Sequence, residues 1–300
     1  MGVLRGKPGE GGMAVARTVA VVGGDRRQEI LAEKLGEDGW KVMACCLGEG
    51  SLSLEQAGEC GMVILPCPVT RDGKTLNAPL WGREVALDDG FARRWRGKRV
   101  FAGGKAALER TSPFWSLAEV WDYGQEPGFL VGNGYLTAEA AAALAIFEHP
   151  GRLGGSRLLV TGYGNVGKAL CLVLRGLGAR VDCCARRREA REELVSLGCG
   201  ALGFGPLEEG YEVIFNTVPA RVLTREALGN QRPGTLLVEL ASAPGGIDRE
   251  AAGELGLRVV DGPGLPGRFA PEAAAELTRQ AILELMEKGG ALREERNDAR

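Results

Sequence analysis

The chain has 300 residues, of which 45% are hydrophobic and 25% charged, with a formal charge of -2. That length allows two cores of ordinary domain size, and the composition excludes an intrinsically disordered chain. The charge offers no field for nucleic acid, and no stretch reaches the roughly 20 apolar residues of a membrane span. Residues Met1 to Gly12 are glycine-rich and polar and lack the apolar centre of a secretion signal. The expected location is therefore the cytoplasm, with neither nucleic acid nor membrane as a partner.

The segments 1–12 and 288–300 are expected to be loose. Between them short β-rich runs alternate with helical patterns, which predicts parallel sheets covered by helices. The first unit has a strand at Thr18–Val22, the turn Gly23-Gly24-Asp25 and a helix around Gln28–Leu35. Strands follow at Lys41–Cys46, at Met62–Leu65 before Pro66, and at Arg99–Phe101 before Gly103-Gly104. An Ala-rich helix from Thr137, read as its N-cap, to about His149 is stopped by Pro150-Gly151 and is expected to bridge two domains. Later strands are Arg157–Val160, Arg180–Cys184, Glu212–Asn216, Thr235–Leu240 and Arg258–Val260, with a helix at Lys168–Leu177. A last helix, Pro271–Met286, opens with proline in its first turn. The expected fold class is α/β, two Rossmann-like parallel-sheet domains bridged by a long helix with a cleft between them. Residues 13–132 with the helix 271–286 form a substrate-side domain, and 133–270 form a nucleotide-binding domain.

The eight cysteines include the adjacent pairs Cys45-Cys46 and Cys183-Cys184 in strand-like runs. Neighbours on a strand point to opposite faces, so neither pair chelates one ion. With no C-x-x-C and a single histidine, His149, no metal is expected, and the cysteines read as reduced core thiols.

The strongest local signal is Gly162-Tyr163-Gly164-Asn165-Val166-Gly167, a G-x-G-x-x-G with a strand before it, a helix after it and a second strand beyond. Gly162 permits a tight turn, Gly164 lets a pyrophosphate approach the backbone, and Gly167 lets the helix pack close. NAD-binding proteins usually end the second strand on an acid that holds the ribose 2′-hydroxyl. Here Ala185 takes that place, Asp182 has the opposite parity, and Arg186, Arg187 and Arg188 follow. These arginines either pair with a 2′-phosphate or form a solvated loop. We take the first reading, with Arg186 as first contact, and expect NADP in preference to NAD. Ligands lie beyond the carboxyl ends of such strands, so Thr217-Val218-Pro219, Ala241-Ser242 and Leu265-Pro266 are expected to line the cofactor cleft.

These strand-end segments carry a resemblance. Val21-Val22-Gly23-Gly24-Asp25-Arg26-Arg27-Gln28, Leu65-Pro66-Cys67-Pro68-Val69-Thr70-Arg71-Asp72-Gly73, Asn77-Ala78-Pro79 and Asn216-Thr217-Val218-Pro219 are similar to the family of the dipicolinate synthase A subunit. So are Leu240-Ala241-Ser242, Pro244-Gly245-Gly246 with Asp248, and Pro263-Gly264-Leu265-Pro266-Gly267. The likeness runs from about Thr18 to Met286. It implies NADP-linked oxidation of dihydrodipicolinate to dipicolinate during spore formation, with a second, flavoprotein-like subunit as partner. After Ala270-Pro271 the family pattern continues with Lys, Thr, Ala and Gly, whereas this chain has Glu272, Ala273, Ala274 and Ala275.

A dicarboxylate needs cations or converging N–H groups, and the candidates are Arg26, Arg71 and Arg268, with the backbone of Gly245 and Gly246 and the Ser242 hydroxyl. Asn133 either orients a carboxylate or caps its segment. Asp248 either accepts a proton or starts a helix, and the helix role is favoured. His149, beside Pro150, reads as a capping or surface residue. A 2-hydroxyacid dehydrogenase of similar layout needs a histidine late in the second domain, and none follows His149. A non-catalytic NADP-binding subunit or sensor is the other alternative. Homo-oligomers are common for such folds, and no surface stripe here specifies one.

Overall fold

The computed structural model describes residues 18–298, the side chains of 290–298 apart. The expected loose start, 1–12, lies outside the described residues, as does the very end of 288–300. The chain divides into two compact units after Asp122.

The first unit runs β1 (Thr18–Val22), α1 (Arg26–Glu37), β2 (Lys41–Cys45), α2 (Leu54–Ala57), β3 (Met62–Ile64), α3 (Asp89–Arg94), β4 (Arg99–Ala102), α4 (Lys105–Glu109) and β5 (Glu119–Asp122). Its strands pair in parallel in the order β2-β1-β3-β4-β5. Strands β1 and β3 read as unbroken apolar runs because helices cover both faces of such a sheet. Asp25 caps α1, accepting from Arg27 N, while the Gln28 side chain accepts from Asp25 N, so two otherwise orphaned donors are satisfied. The core is aromatic: Phe91 meets Trp95 and Trp115 edge to face, with ring centroids 6.1 and 6.0 Å apart.

The second unit begins with a 3-10 turn at Tyr123–Gln125 and α5 (Pro127–Glu148). It continues β6 (Arg157–Thr161), α6 (Asn165–Gly176), β7 (Arg180–Cys184), α7 (Arg188–Ser196), β8 (Gly200–Leu202), β9 (Val213–Asn216), α8 (Arg225–Leu228), β10 (Leu236–Glu239), α9 (Arg249–Glu254), β11 (Arg258–Asp261), α10 (Leu265–Phe269) and α11 (Pro271–Asp298). The parallel sheet has the order β11-β10-β9-β6-β7-β8. The direction of winding reverses between β6 and β9, the point at which doubly wound sheets bind ligands.

All the expected strands are present to within a residue or so at their ends, and β5 and β8 are additional. The bridging helix differs. It starts at Pro127, with Glu126 as its N-cap residue, so Asn133 and Thr137 lie inside it and Thr137 Oγ1 donates to Asn133 O at 2.7 Å. Neither residue caps it. Gly128, Gly132 and Gly134 lie within the helix, and the last two sit at close contacts. A Cβ on Gly134 would lie 2.9 Å from the Asn165 carbonyl oxygen. Ala138, Ala141, Ala142 and Ala145 share a core with Leu170, Cys171 and Leu174 of α6. By length and composition α5 is long and apolar enough to cross a membrane, but half of its most apolar stretch is buried inside the protein. α11 packs on α5 and α10 and continues past Met286 to Asp298, so contacts group it with the second unit.

Candidate dinucleotide-binding site

The glycine turn joins β6 to α6 at the reversal point. Gly162 has φ +95°, and a Cβ there would stand 2.5 Å from Thr217 Oγ1 and 2.8 Å from Val218 Cγ2. A Cβ on Gly167 would lie 2.0 Å from Gly162 O, so only glycine lets the helix seat on the turn. Gly164 is the opposite case, with nothing within 4 Å of where its Cβ would be. No side chain caps α6, leaving the N–H groups of its first turn to an outside acceptor. Open backbone at Gly164 and uncapped donors form the cradle that a pyrophosphate requires, and the residues present fit a dinucleotide.

A cavity of about 700 Å³ lies against this turn. Its wall includes all six residues of the turn, with Leu130 and Asn133 from α5, Cys184 to Arg187 after β7, Phe204, and Thr217 to Ala220 after β9. Asn133 therefore lines the cavity, placed there by the second turn of α5. Lys168 Nζ bonds both Glu193 oxygens at 3.0 and 2.9 Å and lies 4.9 Å from the Tyr163 ring centre, fixing the tyrosine wall. Thr217 Oγ1 donates to Thr161 O at 2.8 Å, which ties the β9 loop to the end of β6.

At the β7 end of the cavity no carboxylate is present in the wall among the described residues. Arg186 and Arg187 border it, Arg186 lying 5.8 Å from the Phe204 ring centre, whereas Arg188 is held by Glu192 at 2.8 Å. Asp182 faces away, accepting from Arg157 Nε at 3.0 Å and Tyr211 OH at 2.7 Å.

Other expected site residues stand elsewhere. Ala241 and Ser242 lie outside the cavity wall, Ser242 being exposed. Leu265 and Pro266 belong to α10 and are buried, Leu265 completely, because the expected closing turn is a short helix packed on α5. The backbone N–H groups of Gly245 and Gly246 do not converge on open space: they donate to Ser242 O at 2.9 Å and to Glu239 Oε2 at 2.8 Å. Asp248 is the N-cap of α9, accepting from Ala251 N, with Arg221 at 3.5 Å, which suits its helix role. Arg268 is exposed beside Phe269. Glu272 is exposed in the first turn of α11, where a negative charge suits the helix dipole, and Ala274 and Ala275 are buried.

In the first unit, Arg26 is exposed and bonds Glu29 at 3.0 Å on its own helix. Arg71 is exposed and donates to Asn77 Oδ1 at 3.2 Å, while Asn77 Nδ2 donates to Pro68 O at 3.0 Å. The buried cation is Arg27, for which the sequence carries no distinguishing signal. It donates twice to Asp25 at 2.8 Å and once to Cys67 O at 3.1 Å. Burial raises the Asp25 carboxyl, but the hydrogen bonds and charge of Arg27, with Arg71 adding, outweigh it and hold the group below its ordinary 3.8. His149 closes the end of α5 and lies 3.1 Å from Glu212. The eight cysteines are free thiols, and among the described residues no group of three or more His, Cys, Asp or Glu could hold a metal ion.

Two doubly wound parallel sheets, one with this glycine turn, define the two-domain fold of the 2-hydroxyacid dehydrogenases. The D-lactate dehydrogenase of Escherichia coli, in its apo-structure, has a TM-score of 0.56 at 15% identity, covering 91% of this chain and 97% of that one. Residues 18–110 match the family model of the N-terminal domain of the dipicolinate synthase A subunit. The chain is 25% identical over 288 residues to the dipicolinate synthase A subunit of Bacillus subtilis (strain 168), covering 91% of this chain and 97% of the relative. The crystal structure of the dipicolinate synthase A subunit from Bacillus halodurans has a TM-score of 0.78 at 22% identity, covering 91% and 99%. The chain is thus similar to the dipicolinate synthase A subunits along most of its length, and its residues 18–110 match the N-terminal domain of that family.

Proposed function

We propose that the chain is an NADP-dependent oxidoreductase that converts dihydrodipicolinate to dipicolinate, in the cytoplasm of a spore-forming cell and alongside a flavoprotein-like second subunit. The observation that carries the reading is the cavity at the glycine turn, whose β7 end is bordered by Arg186 and Arg187 and, among the described residues, by no carboxylate. When bound, NADP supplies the acceptor for hydride, and formation of an aromatic ring supplies the driving force. The protein's own part is positioning. The first turn of α6 holds the pyrophosphate, Arg186 and Arg187 meet the 2′-phosphate, Asn133 orients a substrate carboxylate, and the Ser242 hydroxyl donates to one. Arg268 is the proposed carboxylate cation of this unit. A hydroxyacid dehydrogenase reading lacks its acid-base histidine, since His149 stands at the end of α5 against Glu212.

The test is absorbance in the reduced-nicotinamide band when purified protein is mixed with NADP and freshly generated dihydrodipicolinate, with NAD in parallel. The expected result is a rise with NADP. A rise that requires addition of the flavoprotein-like partner favours a cofactor-binding role dependent on that partner. No rise in either case, with NADP bound, overturns the assigned reaction.

A further inference from the structure

Glu239, the last residue of β10, is 6% exposed, and no cation lies within ion-pair distance of it among the described residues. Its carboxylate is satisfied by neutral donors. Oε1 accepts from Asn216 Nδ2 at 2.6 Å and from Ala241 N at 3.1 Å; Oε2 accepts from Gly246 N at 2.8 Å and Ile247 N at 3.1 Å. Asn216, fully buried at the end of β9, passes the restraint on. Its Oδ1 accepts from Thr161 Oγ1 at 2.6 Å and Val218 N at 3.2 Å, and its Nδ2 also donates to Val218 O at 3.0 Å. A Cβ on Gly246 would lie 2.5 Å from both Asn216 Nδ2 and Val218 O, so the β10 loop closes directly on the β9 loop. One carboxylate thus ties together the chain at the ends of β6, β9 and β10.

The β9 loop forms one wall of the dinucleotide cavity, on the far side of the glycine turn from Arg186. A dinucleotide crosses the reversal point of such a sheet, one half on each side. With the phosphorylated adenosine half at β7, the nicotinamide half falls on the β9 side. We propose that Glu239 is a positioning residue for that half, acting through Asn216 to set the loop 217–220; the inference rests on the dinucleotide reading above. Glutamine has the same size but cannot replace it. Both carboxylate oxygens face N–H donors only, so either orientation of an amide sets donor against donor and the loop must shift.

The test is calorimetric titration with NADP and with adenosine 2′,5′-bisphosphate, which carries the phosphorylated adenosine but no nicotinamide. Glu239→Gln is expected to weaken NADP about tenfold while the bisphosphate changes less than about twofold. Thr161→Val, which removes only the hydroxyl that fixes the Asn216 amide, is expected to show the same selectivity at about threefold. Bisphosphate binding certifies that each variant is folded. Equal weakening of both ligands, or no change in either, overturns this inference and leaves the cofactor reading standing. Wild-type protein that binds neither ligand overturns both.

Discussion

Asp25 and Arg27 show how much one partly buried pair carries in the first unit. The guanidinium is buried, and its partners are the carboxylate that caps α1 and the Cys67 carbonyl after β3, so one side chain joins two strand ends. Because the folded Asp25 carboxyl titrates below its unfolded value, its contribution is complete above that value and is lost as pH falls through the folded one. Asp25→Asn removes the counter-charge from a buried cation and is expected to cost about 3 kcal/mol near neutral pH. It also flattens the fall in stability below about pH 4. Urea unfolding of both proteins across that range checks this, and parallel acid profiles would remove Asp25 as the titrating group. The arginines after β7 are readable because a missing acid at a known position is a local signal. Arg27 and Glu239 are not, since a charged residue in an exposed cap and one buried in a network look alike until the chain folds around them. The one hint for Glu239 is a charge interrupting the apolar run Leu236 to Leu240.

At the level of elements, α5 shows why glycine is an ambiguous letter. Read locally, Thr137 is an N-cap that starts the helix, which leaves Gly132 and Gly134 outside it. In the fold the same glycines let other groups come close, Gly132 to the Leu277 side chain and Gly134 to the Asn165 backbone at the start of α6. Alanine at an open helical position gains about 0.5–1 kcal/mol over glycine, while overfilling a packed contact costs about 1–3 kcal/mol. Gly36 on α1 has nothing within 4 Å of its missing Cβ and an ordinary helical φ. Gly36→Ala is therefore expected to raise the melting temperature and Gly134→Ala to lower it, by calorimetric scans. The same sign for both would show that packing does not decide the Gly134 position.

Across the whole molecule, the alternation of strand and helix is sufficient to read two parallel sheets, because each β-rich run is bounded by turn residues and followed by a helical period. Strands β5 and β8 are not legible in the same way, because Glu119–Asp122 and Gly200–Leu202 are short and carry little apolar pattern. Placement of the loops beyond β10 and β11 is harder still, since it is set by the Glu239 network and by burial of Leu265 rather than by residue type. The cysteines are distributed through both units, seven buried and Cys67 half-buried. Burial pushes the Cys67 thiol up to about 11 and those of Cys45 and Cys184 up to about 12. Native protein is expected to react slowly with iodoacetamide at neutral pH and to take up eight equivalents once unfolded. Rapid labelling of the folded protein, read by mass spectrometry, would contradict the packing described.

The proposed function turns on the cavity at the glycine turn holding a 2′-phosphorylated dinucleotide. Calorimetric titration of the intact chain and of the Arg186→Ala/Arg187→Ala variant, each with NADP and NAD, tests it most directly. Wild-type protein is expected to bind NADP at least about tenfold more tightly than NAD, and the variant to lose this preference while its NAD affinity is unchanged. Equal affinities in the wild type, or a preference that survives loss of both arginines, would contradict it.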